Sequence, residues 1–332
     1  MQIVGRKQGI MDHILRIEDL RTYFQTSGGV IKAVDGVSLH LERGDTLGIV
    51  GESGCGKTVL ALSILRLVSR PAGRIVSGRI LFEGTDLLSL SEREMRRIRG
   101  KDISMIFQEP MTALNPVIRI GEQIAEAIIL HEKLSKKEAM RRAVEMLKRV
   151  GMPAADDRIK DYPHQMSGGM RQRAMIAMAL SCNPKLLLAD EPTTALDVTI
   201  QAQILDLINQ LKNDFFTSVV IITHDLGVIA EAVQNVAIMY TGKIVEYCDV
   251  SSLFTNPLHP YTIGLLKSMP AMERAGRDHL EIIPGSVPNL YNLPAGCSFQ
   301  DRCPDVMSAC RECEPEIQEI APGHFVKCWK VQ

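Results

Sequence analysis

The feature that most constrains this chain is the glycine-rich segment GESGCGKT at residues 51–58. It follows a short apolar run at residues 46–50 and precedes a stretch, residues 59–67, whose apolar residues have helical spacing. Strand, loop and helix in this order are the setting in which such a segment binds phosphate. Its glycines let the backbone turn so that successive N–H groups point at phosphate oxygens, and the following helix adds its positive end.

Two side chains complete this loop. Lys57 supplies a positive charge for the β- and γ-phosphates of a nucleotide, and the Thr58 hydroxyl is a hard oxygen ligand suited to Mg²⁺. The alternative is an ordinary glycine turn in an α/β protein, which the eight-residue match in this context disfavours.

The composition sets limits on the rest of the protein. A length of 332 residues favours one large domain with a smaller appendage. The 38 basic and 39 acidic side chains nearly balance, which argues against a dedicated nucleic-acid-binding protein. Residues 1–13 lack the apolar stretch of a signal peptide, and no segment approaches the ~20 apolar residues of a membrane-spanning helix. We therefore expect any action at a membrane to go through a partner.

Apolar runs predict the secondary structure that surrounds the loop. Alternating segments at residues 15–24 and 31–41 predict a β-rich subdomain leading to the loop. Continuous apolar runs at residues 103–107, 185–191 and 218–223 predict buried strands. The chain is therefore expected to be an α/β protein.

The sequence pattern, in apolar periodicity and in proline content, changes twice along the chain. Residues 121–150 have helical periodicity, which indicates a helical insertion, placed at about residues 109–182. From residue 256 onward, frequent prolines indicate a loop-rich module that needs a cross-link or a bound metal for stability. We expect a nucleotide-binding domain over residues 1–255 and a C-terminal extension over residues 256–332.

Polar residues follow two of the predicted buried strands. Asp190 and Glu191 end one strand, and His224 follows the next. A nucleotide site with Mg²⁺ needs one carboxylate to hold the ion and its waters, and a second group to orient or deprotonate the attacking water. Asp190 fits the first role and Glu191 the second, and His224 is placed to approach the γ-phosphate. A solvated strand end and a structural histidine are the alternatives.

These residues together resemble the ATP-binding subunit of an ATP-binding-cassette (ABC) transporter. The resemblance rests on five elements in the expected order, with Ala195-Leu196-Asp197 between the last two: residues 51–58, Gln108, Ser167-Gly168-Gly169, Asp190-Glu191 and His224. It implies an α/β P-loop NTPase fold with a β-rich subdomain, a helical insertion and a small loop-rich C-terminal cysteine module.

The resemblance also implies a role for each site residue. Glu191 is the general base, Gln108 contacts Mg²⁺ and the attacking water, and His224 braces the γ-phosphate. Phe24 or Tyr23 stacks on adenine. Mg²⁺ is held by Thr58, Gln108 and Asp190. ATP is held by Gly51, Ser53, Gly54, Cys55, Gly56, Lys57, Thr58 and Val59, and by Ser167, Gly168 and Gly169 of a second subunit.

Two further segments narrow the family. NPLHPYT at residues 256–262 and QEPMTALNP at residues 108–116 resemble the ATPases of dipeptide and oligopeptide importers. This resemblance implies a peripheral protein on the cytoplasmic face of the membrane that powers peptide import by ATP-driven dimer closure. The implied partners are a second, identical or similar ABC ATPase, two transmembrane permease subunits and, indirectly, an extracytoplasmic peptide-binding protein, without nucleic acid.

Two rival functions stay open at this point. One is an ABC ATPase of iron–sulfur assembly, in which the cysteines would handle transient cluster cargo. The other is a soluble ABC ATPase acting on nucleic acid or translation. Relatives of the second kind usually carry a long coiled-coil insertion or two cassettes, and this chain shows neither.

Five of the eight cysteines crowd into the last thirty-six positions. Without a secretion signal, a disulfide scaffold is disfavoured. Cys297, Cys303, Cys310 and Cys328 have the spacing C-x5-C-x6-C-x17-C, and four thiolates suit either zinc or an iron–sulfur cluster. The importer resemblance implies a [4Fe–4S] cluster on these four residues. A zinc site would prefer the pair Cys310-x-x-Cys313.

Overall fold

The computed structural model describes residues 13–194, 196–269 and 282–332. Ala195 and residues 1–12, to which two of the sequence predictions refer, lie outside this part. Within it the strands are β1 His13–Thr26, β2 Gly29–Glu42, β3 Thr46–Val50, β4 Gly73–Phe82, β5 Thr85–Asp86, β6 Ile103–Ile106, β7 Leu186–Asp190, β8 Ser218–Thr223, β9 Asn235–Tyr240, β10 Lys243–Asp249, β11 Gln318–Ala321 and β12 His324–Val326.

The described residues also form helices in the segments between these strands. They are α1 Lys57–Ile64, α2 Glu92–Ile98, α3 Pro110–Ala113, α4 Ile120–Glu132, α5 Lys136–Arg149, α6 Ala155–Arg158, α7 Gly168–Leu180, α8 Val198–Phe215, α9 Leu226–Ala232, α10 Val250–Thr255, α11 Pro260–Lys267 and α12 Ser308–Glu312. In the part of the chain that the structure describes, no helix is both long and apolar enough to cross a bilayer.

The chain divides into two compact units. One comprises the described residues up to Ser89 together with those from Thr223 onward, and the other comprises Leu90–Ile222.

The first unit contains an antiparallel sheet in the order β2-β1-β4-β5. The long strands β1 and β2 pair over most of their length, for example Leu20 with Val37 and Phe24 with Ile31. Leu20 and Val37 are fully buried, because alternate residues of each strand face the core. The predicted β-rich subdomain is confirmed.

The first unit also carries β3 and the strands that pair with it. β3 is buried along its whole length and runs parallel to β9, with Ile49 opposite Ala237. β9 and β10 form an antiparallel hairpin, with Ile244 opposite Met239. The glycine-rich loop leaves the end of β3, and α1 begins at Lys57.

The C-terminal segment adds two strands to this sheet. β12 pairs antiparallel with β10 through Tyr247 and Phe325, and β11 pairs with β12. The proline-rich sequence predicted only an irregular, loop-rich module here. Strands of three and four residues are too short to show a periodic pattern, and they form because β10 offers them an edge.

The second unit is built on three parallel strands in the order β6-β7-β8, in which Leu188 lies between Met105 and Val220. All residues of these strands are buried, as their continuous apolar runs predict. Helices α4, α5 and α7 pack together, so the helical insertion is confirmed. Helix α2 was missed, although Ser91 and Glu94 form a capping box that is visible in the sequence as S-x-x-E.

A buried carboxylate anchors the C-terminal extension to β10. Glu246 is fully buried, and its carboxylate accepts hydrogen bonds from the backbone N–H groups of Leu258 (2.8 Å) and His259 (3.0 Å). The Nε2 atom of His324 lies 2.8 Å from Oε1 of the same carboxylate. Burial alone would raise the pKa of Glu246, but these hydrogen bonds hold it below its usual value.

We expect Glu246→Gln to lower the free energy of unfolding of the extension by about 2–4 kcal/mol, because an amide cannot accept from all of these donors. Trp329, the single tryptophan of the chain, lies in the extension, so its fluorescence during urea unfolding measures this change. Glu83→Gln, which removes an exposed ion pair with Arg43, is the matched control and should change the free energy by less than about 1 kcal/mol.

The pH dependence of this stabilisation has a defined sign. Because the pKa of Glu246 is lower in the folded protein, its contribution is complete above about pH 4.5, the ordinary value, and is lost as the pH falls further. The urea midpoint of the Glu246→Gln variant should therefore depend less steeply on pH in this acid range. Equal slopes for the two proteins would contradict this assignment.

Candidate functional site

The backbone around the glycine-rich loop leaves no room for larger residues. A Cβ atom on Gly51 would lie 2.2 Å from the carbonyl oxygen of Met239, and one on Gly56 would lie 2.0 Å from that of Ala33. Gly56 also has φ +105°, a conformation that other residues rarely adopt. The loop is therefore held against β2 and β9 by contacts that only glycine allows.

Several backbone carbonyl groups of the loop accept hydrogen bonds from within the protein. The Nζ atom of Lys57 donates hydrogen bonds to the carbonyl oxygens of Gly51 (2.6 Å) and Glu52 (3.1 Å). Cys55 is buried, and its carbonyl accepts a hydrogen bond from the N–H of Gly242 (2.9 Å). Burial raises the pKa of the Cys55 thiol, so this residue supports the loop rather than acting as a nucleophile.

The outer surface of the loop is accessible. Ser53, Gly54 and Thr58 are exposed, and Val59 is half-buried at the start of α1. Exposed backbone N–H groups, a buried lysine ammonium and an exposed hydroxyl are the groups that a triphosphate and its magnesium ion require. The residues present thus fit such a ligand.

The two candidate aromatic residues differ in their surroundings. The Tyr23 hydroxyl donates a 2.6 Å hydrogen bond to Asp35, and burial together with this bond raises the pKa of Tyr23. Phe24 is half-buried, and its ring edge lies 2.6 Å from the position of a Cβ on Gly73. Tyr23 is thus held by a polar contact within the sheet, whereas the phenyl ring of Phe24 has no such bond.

In the second unit, Glu191 is fixed by two hydrogen-bond donors. Its Oε2 atom accepts from Nε2 of Gln108 (2.9 Å) and from the hydroxyl of Thr194 (2.8 Å). Its backbone N–H donates to the carbonyl of Ile222 (2.8 Å), and its φ of +46° is unusual for a glutamate. Backbone strain of this kind is stored where surrounding contacts over-determine the position.

This arrangement brings together residues from two strand ends. Asp190 is 1% exposed at the end of β7, and Gln108 is exposed just after the neighbouring strand β6. The loop after Glu191 is held from α7, where Nε2 of Gln172 donates to the Pro192 carbonyl at 2.5 Å. Thr194 as a partner of Glu191 was not anticipated, although a hydroxyl three residues beyond the acid was visible in the sequence.

Ser167, Gly168 and Gly169 begin helix α7. The Ser167 side chain caps the helix by accepting a hydrogen bond from the N–H of Met170 (3.3 Å). Ser167 and Gly168 are exposed, so the positive end of a thirteen-residue helix faces solvent. This segment lies in the unit of Gln108, Asp190 and Glu191.

His224 lies in the other unit, with the glycine-rich loop. Its side chain is exposed just after β8, next to Asp225. The Asp225 carboxylate accepts a 2.7 Å hydrogen bond from the N–H of Gly227 and so caps α9. His224 therefore lies immediately before a capped helix start.

Four of the C-terminal cysteines line one cavity. They are Cys297, Cys303, Cys310 and Cys328, and the cavity is also lined by His259, Phe299 and Trp329. Burial raises the pKa of Cys297 to about 11, and the nearby thiols of the other three add to this shift. Cys313 is exposed and does not line the cavity, so the structure separates it from the four.

Comparison with known proteins identifies the class. A family model described as ABC transporter matches residues 34–194, and one described as oligopeptide/dipeptide transporter, C-terminal region, matches residues 245–310. A solved dimer of MJ0796, a bacterial ABC transporter cassette, has a TM-score of 0.64 at 27% identity over 71% of this chain and 98% of that one. The fold is that of an ABC-type P-loop ATPase.

Relatives with similarity along most of the chain define the family more closely. The probable peptide ABC transporter ATP-binding protein y4tR of Sinorhizobium fredii is 54% identical over 319 residues, which cover 96% of this chain and 95% of that protein. The oligopeptide transport ATP-binding protein OppD of Bacillus subtilis is 52% identical over 95% of this chain and 88% of its own length. The chain belongs to the family of ABC transporter ATP-binding proteins, and it is an ATPase of that type.

The packing of the loop makes a testable prediction. We expect Gly56→Ala to weaken the binding of a fluorescent ATP analogue at least tenfold, because the new methyl group collides with the Ala33 carbonyl and must displace the loop. Gly44→Ala is the matched control, since Gly44 also has positive φ (+81°) but open space around its Cβ position. Equal affinities for both variants would show that the collision does not matter.

Proposed function

We propose that this chain hydrolyses ATP to power the import of dipeptides or oligopeptides through membrane-embedded partner subunits. The observation that carries the proposal is the presence, in one chain, of an ABC ATPase and a C-terminal region matching oligopeptide/dipeptide transporters. The names of the relatives support the same cargo, since they include peptide, oligopeptide and dipeptide transport ATP-binding proteins. Iron–sulfur assembly and translation have no such support.

The loop and its neighbours are proposed to hold the nucleotide. Gly51, Gly54 and Gly56 turn the backbone N–H groups toward the phosphates, and Lys57 exchanges its carbonyl partners for phosphate oxygens. Mg²⁺, when bound, offsets the negative charge of the β- and γ-phosphates. Thr58, Gln108 and Asp190 are the residues proposed to hold it, and Phe24 is favoured over Tyr23 for stacking on adenine.

Glu191 is proposed as the general base. The donors Gln108 and Thr194 hold its carboxylate in one orientation, so that it can accept a proton from the attacking water. His224 is proposed to donate to the γ-phosphate. In this scheme the contacts seen around Glu191 position the base before any substrate arrives.

A second subunit is proposed to complete each ATP site. Ser167, Gly168 and Gly169 present backbone N–H groups at a helix start, but they cannot hold a triphosphate alone. Two ATPase subunits, identical or similar, would pair head to tail so that this segment closes on the nucleotide of the partner. The pair would act at the cytoplasmic face of the membrane on two permease subunits, which receive peptide from an extracytoplasmic binding protein.

We expect Glu191→Gln to reduce ATP turnover by about 10²- to 10⁴-fold while ATP binding is retained, because the amide keeps the size but cannot accept the proton. Phosphate release measures turnover, and titration with a fluorescent ATP analogue measures binding. Glu126→Gln, at an exposed position of α4, is the control and should hydrolyse ATP at the wild-type rate. Near-normal phosphate release from the Glu191→Gln variant would refute the assignment.

We also propose that Cys297, Cys303, Cys310 and Cys328 hold a [4Fe–4S] cluster, with zinc as the alternative. Four thiols that line one cavity fit a metal centre, whose positive charge would stabilise their thiolates. The exposed position of Cys313 weighs against a zinc site built on Cys310 and Cys313. The cluster would cross-link a module that has few helices and strands, and would thereby stabilise it.

Metal analysis and visible absorbance of anaerobically purified protein test this proposal. We expect about four iron atoms per chain and a broad iron–sulfur absorbance. Cys303→Ser should lose both, whereas Cys313→Ser should keep both, because its thiol does not line the cavity. About one zinc per chain in a colourless protein would favour the alternative, and absence of both metals would refute the proposal.

A further inference from the structure

The C-terminal extension reaches the phosphate-binding loop through Arg302. Its guanidinium makes a two-pronged ion pair with the carboxylate of Glu52, the second residue of the loop, at 2.7 Å and 3.0 Å. The backbone N–H of Glu52 donates a 2.9 Å hydrogen bond to the hydroxyl of Tyr261 in α11. The extension thus binds both the carboxylate and the backbone N–H group of Glu52.

This contact is built into the core of the first unit. The Arg302 side chain is only 4% exposed, compared with 30% for Glu52. Its guanidinium lies 5.9 Å from the ring centre of Tyr240 and 6.0 Å from that of Phe299, and its Nε donates to the Pro284 carbonyl at 2.9 Å. Such a fixed, planar donor pair is suited to holding one carboxylate in one place.

The position of Glu52 makes its charge important. The loop offers N–H groups and a lysine to a polyanion, and a carboxylate within the same loop opposes that attraction. The opposing charge acts strongly when it is partly buried, since water then screens it less. Arg302 offsets this charge at the carboxylate itself.

We propose that Arg302 and Tyr261 are positioning residues for the phosphate-binding loop, and that Arg302 neutralises Glu52 so that a nucleoside triphosphate can bind. The proposal rests on the proposed function of the loop in binding ATP. It assigns the extension a role in nucleotide affinity, in addition to any role of its cysteines.

The segment that carries Arg302 is bracketed by two of the cavity cysteines. The N–H of Arg302 donates to the Phe299 carbonyl (3.0 Å), and the N–H of Cys297 donates to the Cys310 carbonyl (2.8 Å). Cys303 follows Arg302 directly in the chain. Arg302 thus lies in the short segment between two cysteines of the cavity.

A double-mutant cycle on the full chain tests the proposal. We expect Arg302→Met to weaken the binding of a fluorescent ATP analogue about tenfold, because Glu52 is then an unpaired negative charge in the loop. Glu52→Gln should strengthen binding about twofold. The double variant should return to within about threefold of the wild type, since the charge that opposes binding is gone.

Arg43→Met is the matched control, because Arg43 is paired with Glu83 in the same unit and not with the loop. Its affinity for the analogue should equal that of the wild type. If Arg302→Met does not fold, as judged by Trp329 fluorescence, Arg302→Gln replaces it, and the same comparison with Glu52→Gln applies.

Two results would overturn the inference. Unchanged affinity in the Arg302 variant would show that Glu52 needs no neutralisation. A double variant as weak as the Arg302 variant alone would show that Arg302 only supports the fold. Failure of the wild-type chain to bind the analogue would instead refute the proposed function of the loop, so the two failures are distinguishable.

Discussion

The close approach of two backbone carbonyls to the glycines of the loop is the contact on which the nucleotide site depends. Met239 contributes one of these carbonyls from β9, and Ala33 contributes the other from β2. Both lie about 2 Å from where a side chain would begin, so the loop can take its shape only if β2, β3 and β9 are all in place. The loop is therefore a local motif whose conformation is enforced by distant strands.

Three buried or half-buried carboxylates of the structure are each matched to donors of a different kind. Glu246 accepts from backbone N–H groups and lies against His324, and it ties the extension to β10. Glu191 accepts from Gln108 and Thr194, and Glu52 is held by Arg302. A buried carboxylate without such partners would be strongly destabilising, so these donors are as necessary as the acids themselves.

Secondary structure was predictable wherever a continuous or alternating apolar pattern was long enough to define a period. The strands β3, β7 and β8 and the helices of the insertion are such cases. The strands β11 and β12 are not, because each is too short for a periodic signal and exists only by pairing with the edge of the sheet. Helix α2 has a capping box that is visible in the sequence. Its residues are mostly polar, however, so no apolar period indicated a helix there.

The sequence by itself indicated the class of the protein, the position of the phosphate-binding loop and the candidate acids Asp190 and Glu191, because those features are recognised from residues adjacent in the chain. Tertiary structure decided the partners: that Gln108 donates to Glu191, and that Arg302 reaches Glu52 across 250 positions. Contacts between residues so far apart leave no spacing or periodicity to read. They arise only when buried strands bring distant segments together, as when the extension meets the loop and the Arg302 guanidinium is removed from water.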